Sequence, residues 1–336
     1  MRIEKKMGSI PVVFADRFFM SEKSLSAITA LGGFFWADSR DREDLMQKLG
    51  GSPSVRIIVS EYIKIDLQVL ERAPGVKGII AYGAGYDHID IESLTKRGIV
   101  VCNCRGENAQ AVAEITFGLL LCLLRRIHLA DRWVRENKWP KAGRTLPDWA
   151  MGHELRGKTL GIIGLGQIGS RVAKIARVFD MKILIYDPFV QALPNDLGNA
   201  EKPPLEELLA NADIITLHVP LTPATKGMIN ARALAKMKSE AVLVNTSRGQ
   251  VIDERVLVEA LKHNRIAGAA LDVCAEEPLS GDHPLCSLGN VVLSPHMGAL
   301  TQEAGDRLSA AVARQVRDIL EGRRPECLVK NVNNEQ

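Results

Sequence analysis

This chain lacks the marks of several large classes of protein. Its 336 residues hold 43 Lys and Arg against 40 Asp and Glu, a formal net charge of +3, and no basic cluster is interleaved with aromatics. A nucleic-acid partner is therefore not expected. The longest uncharged apolar run beside a helical pattern, Ile115 to Leu124, covers ten residues between Glu114 and Arg125, too few to cross a bilayer. It reads instead as a helix buried in a core or in a subunit interface. Basic residues near the N-terminus are not followed by an apolar stretch before Pro11, so neither a secretory signal nor a membrane partner is expected. The six cysteines, Cys102, Cys104, Cys122, Cys274, Cys286 and Cys327, form no C-x-x-C pair and have no histidine at zinc-ligand spacing. They predict no metal site; they read as small packed hydrophobes in a reducing cytoplasm. There is no low-complexity tract and no short repeat.

What remains is an ordinary globular composition, 46% apolar and 25% charged, on a chain long enough for two domains. Two series of strand and helix patterns run along it. The first has apolar runs at 10–15, 55–60, 76–81 and 99–102, with helical stretches such as 64–72 and 91–96 between them. The second has strands at 159–163, 182–186, 213–219, 241–245, 266–271 and 291–293, separated by helices at 168–179, 204–210, 230–236 and 253–263. Such alternation implies parallel sheets with crossover helices. The boundary between the series falls near 103–108. The amphipathic stretch 301–320 is predicted to return to the first domain, and 137–154, rich in Trp, Pro and Gly, reads as a long surface connection.

The most specific local signal lies in the second series. Leu160 to Ile163 is an apolar strand that breaks into Gly164, Gly166 and Gly169 at the spacing G-x-G-x-x-G, with Gln167 and Ile168 opening a helix. The first glycine allows a tight turn, the second a close approach of backbone to a pyrophosphate, and the third close packing of helix on strand. A second strand follows and ends in Asp187, eighteen residues beyond Gly169, where a carboxylate accepts hydrogen bonds from an adenosine ribose. No Lys or Arg lies between Asp187 and Lys202 to favour a 2′-phosphate. The expected cofactor is NAD.

Ligands of an open parallel sheet bind outside the carboxyl ends of its strands, and each strand of this series carries polar residues there. They are Asp187, then His218 and Pro220 with Thr222, then Thr246, Ser247 and Arg248, then Asp272 through Glu277, then Ser294 to His296 with Gly298 close behind. Three of them suit redox chemistry on a keto acid. His296 sits in a turn and has a side chain that gives or takes a proton near neutral pH. Glu277, hydrogen-bonded to it, would fix its tautomer and favour the imidazolium. Arg248 has a planar fork that holds a carboxylate bidentately and polarises an adjacent carbonyl.

Six motifs in order give the chain a resemblance to the D-2-hydroxyacid dehydrogenase family along almost its full length. They are Gly83-Ala84-Gly85-Tyr86-Asp87-His88-Ile89-Asp90, Val112-Ala113-Glu114, the glycine fingerprint, Asn245-Thr246-Ser247-Arg248-Gly249, Ala270-Leu271-Asp272-Val273 running to Glu277-Pro278, and Ser294-Pro295-His296-Met297-Gly298. The resemblance implies an α/β fold of two Rossmann-like or flavodoxin-like domains with parallel sheets and a cleft between them. A substrate domain of 1–105 completed by 303–336 would flank an NAD-binding domain at 106–302. It implies an NAD-dependent enzyme that interconverts a small D-2-hydroxy acid and its 2-keto acid, with Arg248, Glu277 and His296 catalytic. Backbone N–H groups of Ala84 and Gly85, with Arg248 and His296, would bind the substrate, and Asp272 would lie near the nicotinamide. It further implies a homodimer joined through the dinucleotide domains, with the apolar helix 109–124 as a candidate contact.

The sequence departs from the family pattern at Cys274, where an aromatic is frequent, at Met297–Leu300, and at Arg105, a hinge position often occupied by Pro or a small residue. These touch substrate choice more than reaction type. Two other activities fit much of the same residue set: a phosphite dehydrogenase, and an NAD(H)-sensing protein resembling the C-terminal binding protein corepressors. The near-neutral charge and the absence of long disordered tails favour the metabolic enzyme.

Overall fold

Short Val- and Ile-rich runs form strands here because helices cover both faces of each sheet, so consecutive residues are buried rather than alternate ones. The computed structural model describes residues 10–143 and 145–329. The outer parts of the expected first domain, 1–9 and 330–336, lie outside the described residues.

In chain order the first strands and helices are β1 (Val12–Phe14), α1 (Glu22–Ala30), β2 (Phe34–Trp36), α2 (Arg42–Leu49), β3 (Ile57–Ser60), α3 (Leu67–Glu71), β4 (Gly78–Ala81), α4 (Ile91–Lys96) and β5 (Val100–Asn103). They continue through α5 (Ala109–Leu124), α6 (Ile127–Arg135), α7 (Trp139–Ala142), β6 (Thr159–Ile163), α8 (Gln167–Val178), β7 (Lys182–Tyr186) and α9 (Leu205–Asn211). The rest are β8 (Ile214–Leu217), α10 (Ala231–Lys236), β9 (Val242–Asn245), α11 (Glu254–Lys262), β10 (Gly268–Leu271), β11 (Val291–Leu293) and α12 (Gln302–Leu320). The chain divides into two compact units, one of residues up to Asn108 together with those from Ala299 onward, the other Ala109–Gly298.

The first unit is a five-stranded parallel sheet in the order β2-β1-β3-β4-β5, the flavodoxin-like arrangement. One face is packed by a cluster including Leu45, Ile58, Val69, Ile79 and Leu94. The other is closed by α12, whose Leu308, Val312, Val316 and Ile319 meet Phe14, Ile57 and Ile80. Aspartates start three of its helices: the side chains of Asp41, Asp66 and Asp90 accept first-turn N–H groups of α2, α3 and α4, which relieves donors that the helix cannot satisfy itself. Strand β2 and helices α1 and α2 go beyond the sequence reading. Phe34–Trp36 is a half-buried edge of three aromatic residues, so neither alternation nor a continuous buried run betrays it.

The second unit is a six-stranded parallel sheet, β11-β10-β9-β8-β6-β7. Next to β7, Glu201 forms a single parallel bridge with Leu184, its carbonyl accepting from Ile185 N–H and its N–H donating to the Ile183 carbonyl. Counting that remnant as a strand gives the 3-2-1-4-5-6 order of dinucleotide-binding sheets, with β11 added at the end. Helix α5 lies on this sheet with ten of its sixteen residues buried, among them Phe117, Leu120 and Leu123. Gln110, Glu114 and Gly118 are its exposed positions. None of the nine residues of α6 is buried. The connection 137–154 contains α7 and a single helical turn at Asp148–Ala150. No helix of the described residues is long and apolar enough to cross a membrane.

Candidate active site

In the second unit, the carboxyl edge of the sheet begins at the β6–α8 turn. Gly164 has φ +96°, in the region that favours glycine, and a Cβ there would lie 2.5 Å from the His218 carbonyl oxygen. A Cβ on Gly169 would come within 2.0 Å of the Gly164 carbonyl oxygen, so helix and turn touch backbone to backbone. Gly166 is the N-cap of α8; it offers no side-chain cap, and the space a Cβ would fill is open. The first-turn donors of α8 therefore face open room, which suits an anionic diphosphate. Gln167 and Ile168 form that first turn, with Gln167 held by Arg171 through both its carbonyl and its side-chain oxygen.

Asp187 closes this end. Its Oδ2 accepts from Leu165 N–H at 2.8 Å and its Oδ1 from Phe189 N–H at 2.9 Å, which fixes the carboxylate at the tip of β7. Both oxygens keep capacity for ribose hydroxyls. Further along, His218 Nε2 pairs with Thr216 Oγ1 at 2.9 Å, and burial pushes its imidazole down to about 3, so the ring is neutral. Its Nδ1 is enclosed, with no hydrogen-bond partner among the described residues. Pro220 and Thr222 form a turn tied together by Thr225 Oγ1, which donates to the Pro220 carbonyl and accepts from Thr222 N–H. The glycine cradle, the uncapped helix and Asp187 fit NAD.

Thr246 and Ser247 turn out to have partners inside the protein. Thr116 Oγ1 donates to the Val112 carbonyl, so in its 3.0 Å contact with Thr246 it acts as acceptor and Thr246 as donor. Ser247 donates from both its N–H and its hydroxyl to Asn245 Oδ1. Asn245 Nδ2 in turn donates to the Arg248 carbonyl at 2.9 Å. This brace at the end of β9 aims Arg248, whose Nη1 donates to the Ser247 carbonyl. Gly249 then passes so close to the β10 loop that a Cβ would sit 1.9 Å from the Cys274 carbonyl carbon. Only a residue without a side chain lets these two loops meet.

Across that contact stands Glu277. Its Oε1 accepts from Cys274 N–H at 2.9 Å, and its Oε2 meets His296 Nδ1 at 2.7 Å. Burial alone would raise this carboxyl. The hydrogen bonds to His296 and Cys274 N–H, with the charges of His296 and Arg248, outweigh it and hold the group below the usual carboxylate range. Arg248, Glu277 and His296, from the ends of β9, β10 and β11, thus form one electrostatic group.

The role of Asp272 was not legible in the sequence. It is 2% exposed, and Oδ1 accepts from Ser294 Oγ and Met297 N–H while Oδ2 accepts from Gly298 N–H, at 2.6, 2.9 and 2.8 Å. Its backbone carbonyl accepts from His296 N–H. The loop so clamped holds His296 at φ +51°, a conformation that a side chain rarely adopts without such support. Gly298 must remain glycine, since a Cβ would meet Asp272 Oδ2 at 2.9 Å. Asp272 therefore positions the histidine loop.

In the first unit, the turn after β4 carries Gly83 at φ +132°. Cys104 N–H donates to the Gly83 carbonyl and Asn103 Nδ2 to the Ala84 carbonyl. With the carbonyls held, the N–H groups of Ala84 and Gly85 make no hydrogen bond among the described residues. Arg105 is exposed, with no ion pair among the described residues.

A doubly wound sheet with a glycine cradle and an acid at the tip of its second strand is the architecture of a dinucleotide-binding oxidoreductase. Comparison with known proteins agrees. Residues 117–298 match the family model described as D-isomer specific 2-hydroxyacid dehydrogenase, NAD binding domain. A glyoxylate reductase of Thermofilum pendens is 41% identical over 324 residues, spanning 95% of this chain and 94% of the relative. The crystal structure of a glyoxylate reductase from Paecilomyes thermophila superposes with a TM-score of 0.85 at 30% identity, covering 96% of this chain and 98% of that one. D-Lactate dehydrogenase from Aquifex aeolicus, solved with NAD and lactic acid, gives 0.80 at 28% identity over 93% and 96%.

The chain belongs to the D-isomer specific 2-hydroxyacid dehydrogenase family. It is an NAD-dependent enzyme that interconverts a 2-hydroxy acid and its 2-keto acid.

Proposed function

We propose that this protein reduces a small 2-keto acid, glyoxylate foremost, with Arg248, Glu277 and His296 as its catalytic group. The observation that carries the reading is the 2.7 Å contact between His296 Nδ1 and Glu277 Oε2 in the field of Arg248. NADH, which the Gly164–Gly169 turn and Asp187 would hold, would supply the hydride for the keto carbon. Glu277, held as a carboxylate, keeps a proton on Nδ1, which assigns the opposite nitrogen, Nε2, to the proton given to the forming alkoxide. Arg248 binds the substrate carboxylate and polarises the carbonyl. The N–H groups of Ala84 and Gly85, which make no hydrogen bond among the described residues, are suited to bind a substrate carboxylate. Oxidation uses the same groups in reverse.

On this reading the unit containing β1 to β5 is the substrate domain and Ala109–Gly298 the NAD domain. We also infer a cytoplasmic homodimer joined through the NAD domains. Its support lies beyond α5, which is already covered by its own sheet: Ile127, Val134, Trp139, Leu146 and Met151 are exposed apolar residues within one stretch of that unit. Sedimentation of the protein with Val134 and Trp139 changed to Asp tests it, since a species that keeps its mass refutes this contact. The main test is NADH absorbance across a panel of 2-keto acids, repeated with NADPH. Turnover of glyoxylate with NADH supports the proposal, and silence across the panel overturns it.

A further inference from the structure

The loop that carries Glu277 is gripped a second time, at Ala275, by groups that the reaction as described does not use. The Ala275 peptide is held on both sides. Its N–H donates to Glu254 Oε2 at 2.9 Å, and its carbonyl accepts from Gln250 Nε2 at 2.7 Å. Both partners come from the stretch directly after Arg248: Gln250 from the single helical turn Gly249–Val251, Glu254 from the first turn of α11. Gly249 leaves so little room that a Cβ would also meet Ala275 N at 2.4 Å. Glu254 is itself held. Its Oε1 lies 3.3 Å from His283 Nε2, and both side chains are mostly buried. His283 Nδ1 accepts from Leu285 N–H, so the neutral ring carries its proton on Nε2 and donates it to Glu254.

We propose that Glu254, together with Gln250, is a positioning residue for the reaction: through the Ala275 peptide it sets Glu277 against Arg248, and so sets the hold of Glu277 on the His296 proton. The role presupposes the catalytic assignment of Arg248, Glu277 and His296. Glu254 acts through the backbone, since its hydrogen bonds go to Ala275 and His283. Glu277 Oε1 folds back onto Cys274 N–H, the donor next to the Ala275 peptide, while Oε2 meets His296 Nδ1 at 2.7 Å. A shift of that peptide therefore moves the anchor of one carboxylate oxygen and misaligns the other, and a bond this short weakens steeply with distance and angle. The charged and titratable groups around the loop are Glu254, Glu277, Asp272 and Cys286, which all bear on the Cys274 thiol, with His283 against Glu254, and His296 and Arg248 against Glu277. The three carboxylates are kept apart by separate backbone donors: Ala275 for Glu254, Cys274 for Glu277, Met297 and Gly298 for Asp272. Glu277 is the one of the three that faces His296.

The test follows kcat and KM for glyoxylate reduction against pH in the wild type, Glu254→Ala, Glu254→Gln and Gln250→Ala, with Glu277→Gln as the reference. Glu254→Ala should lower kcat about 10- to 100-fold and leave KM for NADH within about threefold. A displaced Glu277 no longer favours the imidazolium, so the alkaline limb of kcat should move to lower pH by about half a unit to one unit, the direction taken by Glu277→Gln. Glu254→Gln keeps an acceptor for Ala275 N–H while opposing His283 with an amide, and should return kcat to within about fivefold of the wild type with most of the limb restored. Gln250→Ala removes the other half of the grip. Combined with Glu254→Ala it should cost less than the product of the two single effects, because both act on one peptide. A loss in Glu254→Ala with the limb unmoved, a loss that Glu254→Gln does not recover, or full additivity with Gln250→Ala overturns the proposal. If Glu254→Ala does not fold, Gln250→Ala decides alone, since it must move the limb the same way. Failure of the parent assignment looks different: Glu277→Gln would then leave the limb where the wild type has it.

Discussion

The two units share an architecture and differ in where their chemistry is stored. In the second, the strand ends present side chains that are already engaged: Glu277 with His296 and Cys274, Asp272 with three donors, Asp187 with two. In the first, the N–H groups of Ala84 and Gly85 make no hydrogen bond among the described residues, and the acid Glu61 has burial as its main influence rather than a counter-ion. Pre-engaged side chains cost no rearrangement at the moment of reaction. Unengaged backbone donors suit binding, because they gain a partner only when a ligand arrives. On the proposed assignment, the second unit carries the reaction and the first the recognition of substrate.

That contrast predicts how the molecule breaks. The largest effect should come from His296→Ala, which lowers kcat by about 10²–10⁴ while NADH affinity, followed by fluorescence titration, stays within about threefold. Lost cofactor binding would show that His296 belongs to the cradle and not to the chemistry. Asp272→Asn should come next. Replacing one carboxylate oxygen by an amide sets a donor against buried N–H groups, so kcat falls about 10- to 100-fold and the calorimetric midpoint drops by about 4–8 °C. An unchanged midpoint would detach Asp272 from the clamp. Asp187→Ala should weaken NADH about tenfold and leave kcat at saturating cofactor within about threefold, a split read from full kinetics.

Smaller effects depend on pH, with opposite signs in the two units. Glu277 is held below its ordinary value, so its contribution to stability is present above the usual carboxylate range and is lost as pH falls through the depressed native value. Glu61 is raised, so the native state holds its proton more tightly than the unfolded chain does. Its contribution is complete below the ordinary glutamate value and fades as pH rises toward about 8. Denaturant titrations should therefore lose slopes of opposite sign, Glu277→Gln below the usual carboxylate range and Glu61→Gln between that range and about pH 8. The same sign for both would mean that the contrast is misplaced.

Much of the second unit was legible in the sequence because its constraints are local. Strands β6, β7 and β11 coincide with the apolar runs at 159–163, 182–186 and 291–293, each ending at a glycine or a polar residue. The glycine spacing shows in three positions because each one answers a backbone contact. What escaped is non-local or backbone-borne. The bonds of Asp272 reach residues 22 to 26 positions away, and nothing in the run Ala270–Val273 announces them. The clasp of Asp16 on Glu61–Ile63 spans 45 to 47 positions. The remnant strand at Glu201 is one residue wide, below what any pattern reveals. Helix α5 read as apolar nearly all round, and the structure explains this by its own sheet, which covers most of it. A subunit contact is not required to account for that composition.

The double engagement of Asp187 sets a condition on any attempt to redesign cofactor preference. A basic residue placed beyond β7 to welcome a 2′-phosphate would still face the Asp187 charge, so the acid has to go. Its removal orphans Leu165 N–H inside the phosphate-binding turn and Phe189 N–H in the loop after it. A serine there restores one acceptor at most, and an asparagine restores one oxygen while presenting an amide donor. Switching this enzyme to NADPH therefore calls for a rebuilt loop from Asp187 to Phe189, not an exchanged side chain.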